Sequence, residues 1–205
     1  MSLVSRGLAV RPVNRAGDLI HAGGEADEGA QAVVIDFKDY IREIPDFPKP
    51  GIMFKDITPL LSNGQAFHAA VDHIAERYRG RVDRVLGIES RGFIIGAPVA
   101  YALRAGLAVV RKPGKLPAQT FAARYALEYG NDVLEIHRDA FGHPCRVLIV
   151  DDLLATGGTA SAAIELVERL GGEVIECAFL IELSVLKGRA RLQPHSVFAM
   201  MQYDD

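Results

Sequence analysis

The stretch 147–159, VLIVDDLLATGGT, restricts this chain more than any other. Its first four residues, 147–150, are apolar and β-branched enough to form a buried strand. Two adjacent carboxylates, Asp151 and Asp152, follow, then Leu153 and a turn of small residues that includes Ala155, Thr156, Gly157, Gly158 and Thr159. The segment 161–170 carries apolar residues at Ala163, Leu166, Val167 and Leu170, one face of a helix, and Gly171 and Gly172 stop it. A strand–turn–helix unit leaves backbone N–H groups unpartnered at the helix N-terminus, where they bind an anion. The glycines let the backbone approach closely, and Thr156 and Thr159 add hydroxyl donors. Asp151 and Asp152 repel phosphate; they suit hydroxyl groups beside it, or a divalent metal. A phosphate next to a pair of hydroxyls describes a ribose 5-phosphate.

Two other phosphate loops are excluded. No Lys follows these glycines, as a Gly-x-x-x-x-Gly-Lys-Ser/Thr loop requires, and the Gly-x-Gly-x-x-Gly pattern of dinucleotide folds is absent. An ordinary strand–helix connection of small residues is the plainer alternative. The stretch closely resembles the signature of the type I phosphoribosyltransferases, which bind 5-phosphoribosyl-1-pyrophosphate. The resemblance implies that Asp151 and Asp152 contact the ribose 2- and 3-hydroxyls and that 155–159 holds the 5-phosphate.

At 205 residues, 49% hydrophobic and 24% charged, the chain reads as one soluble globular domain with a sizeable core. A net charge of −3 suggests neither a nucleic-acid partner nor an anionic-membrane surface, and no apolar run is long enough to span a bilayer. Cys145 and Cys177 lie far apart in no metal-binding spacing, as structural thiols of a reduced, cytoplasmic protein would. Residues 1–33 are rich in glycine and alanine without sustained periodicity, and are expected to be a disordered extension; 34–205 is expected to be the folded domain.

Phe37, Tyr40, Ile41 and Ile44 suggest a short helical face ended by Pro45. Pro48, Pro50, Gly51 and Pro59 then preclude a long regular element, although Phe47, Ile52, Met53, Phe54 and Ile57 are too apolar for a solvated loop. A helix through Phe67, Ala70, Val71, Ile74 and Tyr78, capped by Ser62 or Asn63, leads to a buried strand at 85–88 and the charged turn Glu89, Ser90, Arg91, Gly92. A helix at 93–103 with Pro98 as a local bend or first-turn residue, a strand at 107–110, a basic loop at 111–117, a returning strand at 131–135, and strands at 174–183 and 197–201 complete the reading. Alternating strands and helices predict an α/β fold, a mostly parallel central sheet flanked by helices.

The stretches 47–61 and 125–130 resemble the adenine-specific branch of the family. There the segment about 34–61 forms a small N-terminal hood over the base, Phe54 stacks on the purine opposite Leu153, and backbone near Met53 and Lys55 reads its edge. The resemblance makes Glu128 the proton-transfer carboxylate, with Tyr129 beside it. It brings Arg91, Arg111 and Lys115 to pyrophosphate, with Mg²⁺ held mainly by substrate phosphates and water. It implies a homodimer that converts adenine and phosphoribosyl pyrophosphate to AMP and pyrophosphate. Two alternatives stand beside it: an enzyme of the same fold for another base, and a non-enzymatic sensor of phosphoribosyl pyrophosphate.

Overall fold

The computed structural model describes residues 35–126, 131–142 and 144–204. A 3₁₀ turn at Phe37–Tyr40 leads into β1 (Arg42–Ile44), β2 (Phe54–Asp56), α1 (Thr58–Ser62), α2 (Gly64–Tyr78), β3 (Arg84–Ile88), α3 (Arg91–Leu103) and β4 (Gly106–Val110). Then come β5 (Thr120–Ala126), β6 (Asn131–His137), β7 (Arg146–Leu154), α4 (Gly158–Arg169), β8 (Glu173–Leu183), α5 (Gly188–Arg191) and β9 (Val197–Tyr203).

Five strands form one sheet in the order β4-β3-β7-β8-β9, every neighbouring pair parallel. The parity of β7 shows why its apolar run is continuous. Val147 and Ile149 pack with α4 and the β5–β6 hairpin on one face, whereas Leu148 and Val150 pack with α2 and α3 on the other. A strand buried on both faces has no polar side to alternate with. Chain connections leave β3 toward β4 and β7 toward β8, so the order reverses between β3 and β7. The crevice beyond the carboxyl ends of two such strands is where open α/β sheets bind ligands.

Three local expectations change. Residues 37–44 are not one helical face: the Asp36 carboxylate caps a single 3₁₀ turn by accepting from Lys38 N, and 42–44 then pair antiparallel with β2. β7 continues to Leu154, past the two acids, because its pairing with β8 persists to Leu154 opposite Glu182. The segment 120–126 forms β5, paired in full register with β6. The cap of α2 is Asn63, whose side chain accepts from Ala66 N. Pro98 lies within α3. Among the described residues no helix is long and apolar enough to cross a membrane.

α3 begins against β7 with no room to spare. A Cβ added at Gly92 would sit 2.8 Å from both Asp151 Oδ1 and Val150 O. Gly92→Ala should therefore push the first turn of α3 off the strand and cost about 1–3 kcal/mol. Thermal unfolding should show a loss of several degrees; an unchanged melting temperature would mean that this contact relaxes freely.

Candidate active site

β7 delivers Asp151 and Asp152 to the carboxyl edge of the sheet. Asp152 is 4% exposed, and Asp151 Oδ1 accepts its N–H at 3.0 Å. Arg91, at the start of α3, brings Nε to 2.6 Å from Asp152 Oδ2, yet that oxygen receives no aligned hydrogen bond among the described residues. Burial, and then the charge of Asp152, push the Asp151 carboxyl well above the usual carboxylate range. Burial raises Asp152 too, opposed by the Arg91 guanidinium. The pair thus resists carrying two full negative charges until positive charge or hydroxyl donors arrive.

The cup follows. Gly157 caps α4 with φ +78° and no side chain bonds to the first turn. The helix starts at Gly158, three residues earlier than periodicity suggested, because Ser161 N already bonds Gly157 O at 2.9 Å. The amides of Gly158, Thr159 and Ala160 therefore open the helix without partners in it, and all three residues line the cavity. The floor is backbone on backbone: a Cβ at Gly157 would lie 2.7 Å from Gly188 O, and one at Gly188 would overlap Ala155 O. The cavity has a volume of about 380 Å³ and is walled by 151–160, Glu89, Ser90, Arg91, Lys112 and Tyr125.

A second, mostly apolar cavity of about 370 Å³ lies under the β1–β2 hairpin, lined by Ile44, Phe47, Phe54, Ile57, Leu61 and Ile94 among others. Arg91 lines both cavities, with its guanidinium 5.5 Å from the Phe54 ring centre. The Phe54 ring meets Phe47 edge-on at 5.1 Å.

The basic loop after β4 is pinned at its base. Arg111 donates from Nε and Nη2 to Glu89 at 3.3 and 3.0 Å, and Lys112 N donates to Glu89 Oε2 at 2.8 Å. These bonds, the Arg111 side chain first, hold Glu89 below the usual carboxylate range. Gly114 N donates to Glu135 Oε2 at 3.1 Å, so Glu135 supports the loop.

The structure thus gathers Arg91, Asp151, Asp152, Leu153, Ala155, Thr156, Gly157, Gly158 and Thr159 around one cavity. Phe54 lines the second cavity, so Phe54 and Leu153 face different cavities with Arg91 common to both. Met53 is exposed. The Lys55 side chain leaves the opposite face of β2 from Phe54; it is buried, pairs with Glu43 at 2.7 Å and lies 4.0 Å over the Tyr203 ring. Lys115 is exposed, and its carbonyl accepts from Arg111 Nη1 at 3.2 Å. Glu128 and Tyr129 lie outside the described residues. Lys112 and Gly188 were not singled out from sequence. Lys112 is signalled only by its place in the basic run, and Gly188 has no local signal, since its role is to let the Ala155 carbonyl approach.

This parallel sheet with an acid pair and a helix-capped anion cup at its switch point defines the class. The family described as the phosphoribosyl transferase domain matches residues 60–201. The adenine phosphoribosyltransferase of Chloroflexus aurantiacus is 58% identical over 169 residues, 82% of this chain and 98% of that protein. The crystal structure of the adenine phosphoribosyltransferase from Thermoanaerobacter pseudethanolicus superposes with a TM-score of 0.79 at 51% identity, covering 82% of this chain and 98% of that one. The Saccharomyces cerevisiae enzyme, complexed with an imino-altritol bisphosphate and adenine, gives 0.76 at 42% identity over 80% of this chain and 96% of its own. The chain belongs to the adenine phosphoribosyltransferase family.

The raised Asp151 pKa fixes the sign of a pH effect. A carboxyl whose folded pKa lies above its unfolded value binds more protons in the folded state, so it weakens stability as pH rises through that interval. Asp151→Asn keeps an oxygen to accept Asp152 N and removes the charge. The variant should melt higher than the parent at pH 8, and the gain should shrink as pH is lowered. A lower melting temperature at pH 8 would contradict the assigned shift.

Proposed function

We propose that this chain transfers the 5-phosphoribosyl group of 5-phosphoribosyl-1-pyrophosphate to adenine, giving AMP and pyrophosphate, a purine-salvage reaction. The observation that carries this reading is the buried acid pair and the glycine cup sharing one cavity, in a chain matched along nearly the full length of adenine phosphoribosyltransferases. The adenine and bisphosphate sugar analogue bound by the yeast relative fit the same division of labour.

The residues divide the work by charge. The amides that open α4, with Thr156 and Thr159, take the 5-phosphate and thereby fix the sugar. Asp151 and Asp152 accept from the ribose hydroxyls, and their negative field favours the cationic character that C1 develops as pyrophosphate departs. Arg91, Arg111 and Lys115 neutralise the leaving group. Glu128 exchanges a proton with the imidazole side of the base. Phe54 and Leu153 sandwich the ring once Arg91 moves toward phosphate, and backbone at Met53 and Lys55 reads the purine edge. Tyr129 stands beside the base. Mg²⁺ supplies further charge neutralisation at pyrophosphate when bound. An ion that prefers phosphate oxygens and water would be carried by the substrate, with Asp151 and Asp152 nearby.

Three further readings accompany the reaction. Two buried free thiols, Cys145 and Cys177, support a reducing, cytoplasmic setting. Tyr101 at 88% exposure, Ile94 at 45% and Leu107 at 44% lie on α3 and the edge strand β4 and support a homodimer through this side, checked by sedimentation at micromolar concentration. The segment 1–33 is an extension to the catalytic domain 34–205. The C. aurantiacus relative matches only 82% of this chain with nearly its whole length, which supports that division.

Adenine carries a 6-amino donor beside an N1 acceptor; hypoxanthine and guanine reverse that pattern. Backbone groups cannot exchange donor for acceptor without moving, whereas stacking on Phe54 is indifferent to it. Adenine should exceed hypoxanthine and guanine by at least ~10³-fold in kcat/KM. The assay compares AMP, IMP and GMP formation at equal base concentrations with Mg²⁺. Comparable rates with hypoxanthine would refute the adenine reading and leave the phosphoribosyl site standing. In the same assay the nearly isosteric Glu128→Gln should lower turnover ~10²-fold or more; an undiminished rapid-quench step would remove Glu128 from proton transfer.

A further inference from the structure

The cations around the cup are already occupied. Arg91 pairs with Asp152, Arg111 with Glu89, and Lys112 with Asp132. Asp152 has a role toward the sugar and Glu89 belongs to the turn that shapes the cavity. Asp132 does neither: it lies on β6 and is not among the residues lining the cavity. Its contacts are nevertheless specific. Lys112 Nζ pairs with Asp132 Oδ2 and donates to Tyr125 Oη at 2.8 Å; Tyr125 Oη donates to the same Asp132 oxygen at 3.1 Å. Asp132 Oδ1 accepts its neighbour Val133 N at 2.8 Å, which fixes the carboxylate plane. Lys112 and Tyr125 both line the cavity, and the Lys112 ammonium is held on the β5–β6 hairpin by Tyr125 and Asp132.

On the reading of this cavity as the phosphoribosyl pyrophosphate site, we propose that Asp132 is a stand-in anion. It holds the Lys112 ammonium while no pyrophosphate is present, and it competes with pyrophosphate for that ammonium when one is. Asp132 is a positioning residue acting through Lys112, with Tyr125 as the second anchor. An ammonium has three donors, so it can swing between Asp132 and a phosphate oxygen while its backbone N–H stays on Glu89. Burial alone would lower the Lys112 pKa, but Asp132 and Tyr125 overcome it and raise it. The charge is therefore present for both partners. The competition weakens pyrophosphate retention and favours departure of the product.

The geometry gives the sign of the test. Side-chain exposures of 39% for Lys112 and 28% for Asp132 mark a partly exposed pair. Asp132→Asn should therefore bind inorganic pyrophosphate, with Mg²⁺ present, about 5-fold more tightly than the parent by isothermal titration. The KM for phosphoribosyl pyrophosphate should fall in the same direction. Tyr125→Phe, which removes one of the two anchors, should tighten pyrophosphate by a smaller factor, and it keeps the test alive should Asp132→Asn fold poorly. In a Lys112→Met background the effect of Asp132→Asn should vanish. Weaker or unchanged binding by both single variants overturns the proposal, because Asp132 would then aim Lys112 and not compete for it. Tightening that persists without Lys112 also overturns it, since the cause would be loss of negative charge alone. Absence of pyrophosphate binding by the parent overturns both this inference and the reading of the cavity; binding by the parent with no tightening in the variants overturns the inference alone.

Discussion

Two like charges adjacent in sequence, set at the end of a strand that is buried on both faces, are the constraint to which the rest of this structure answers. Asp151 and Asp152 are costly to bury, and little in the chain repays that cost in stability. What surrounds them is an arrangement for using the charge. Arg91 offsets one carboxylate. Gly92 lets α3 start close enough to β7 for that arginine to reach. α4 begins a few residues further on, with its positive end and its unpartnered amides turned to the same cavity. Negative and positive halves of the cavity are thus separated by a few residues of backbone and held by one strand–turn–helix unit.

The parts of this arrangement that depend on local sequence were legible before any coordinates. The alternation of the central strands with helices, the acid pair, the glycine turn and a cap at Ser62 or Asn63 follow from side-chain period and from the chemistry of a helix terminus. Contacts across the fold were not. β5 was missed because one of its inward positions is small: Ala123 and Tyr125 are buried and alternate properly, but alanine contributes little to a hydrophobic period. Gly188 lies thirty or so residues from the loop it supports, in a stretch with no pattern of its own. The side chain of Lys55 turns toward Glu43 and Tyr203, because the parity of a three-residue strand decides its direction and that parity is set by pairing with β1. The cations of the 111–117 loop stand out as a basic run, but their carboxylate partners, Glu89 and Asp132, lie in other elements.

The two halves of the site also rest on different foundations. The cup is made by the five-stranded sheet, whereas the β1–β2 hairpin shares no strand pairing with it. The hairpin is tied down by the packing of its flanking residues and by Lys55, Lys38 and the ring of Tyr203 on β9. Shape and hydrogen-bond pattern on the hairpin side are therefore free to vary without touching the backbone contacts that form the cup floor. This independence is why a strand–turn–helix phosphate motif carries little information about the base.

Arg91 joins what the backbone keeps apart. Its side chain is wall to both cavities, paired with a carboxylate of one and close to an aromatic ring of the other. For an inhibitor assembled from fragments this has a plain meaning. A fragment in either cavity can settle against Arg91 as it stands, but a linker running between the two must turn the guanidinium aside and part it from Asp152. The tethered compound loses that work from the sum of its pieces unless the linker carries an acceptor to receive the arginine. A phosphonate or carboxylate at the junction, placed where the guanidinium swings, would turn the obstacle into a contact.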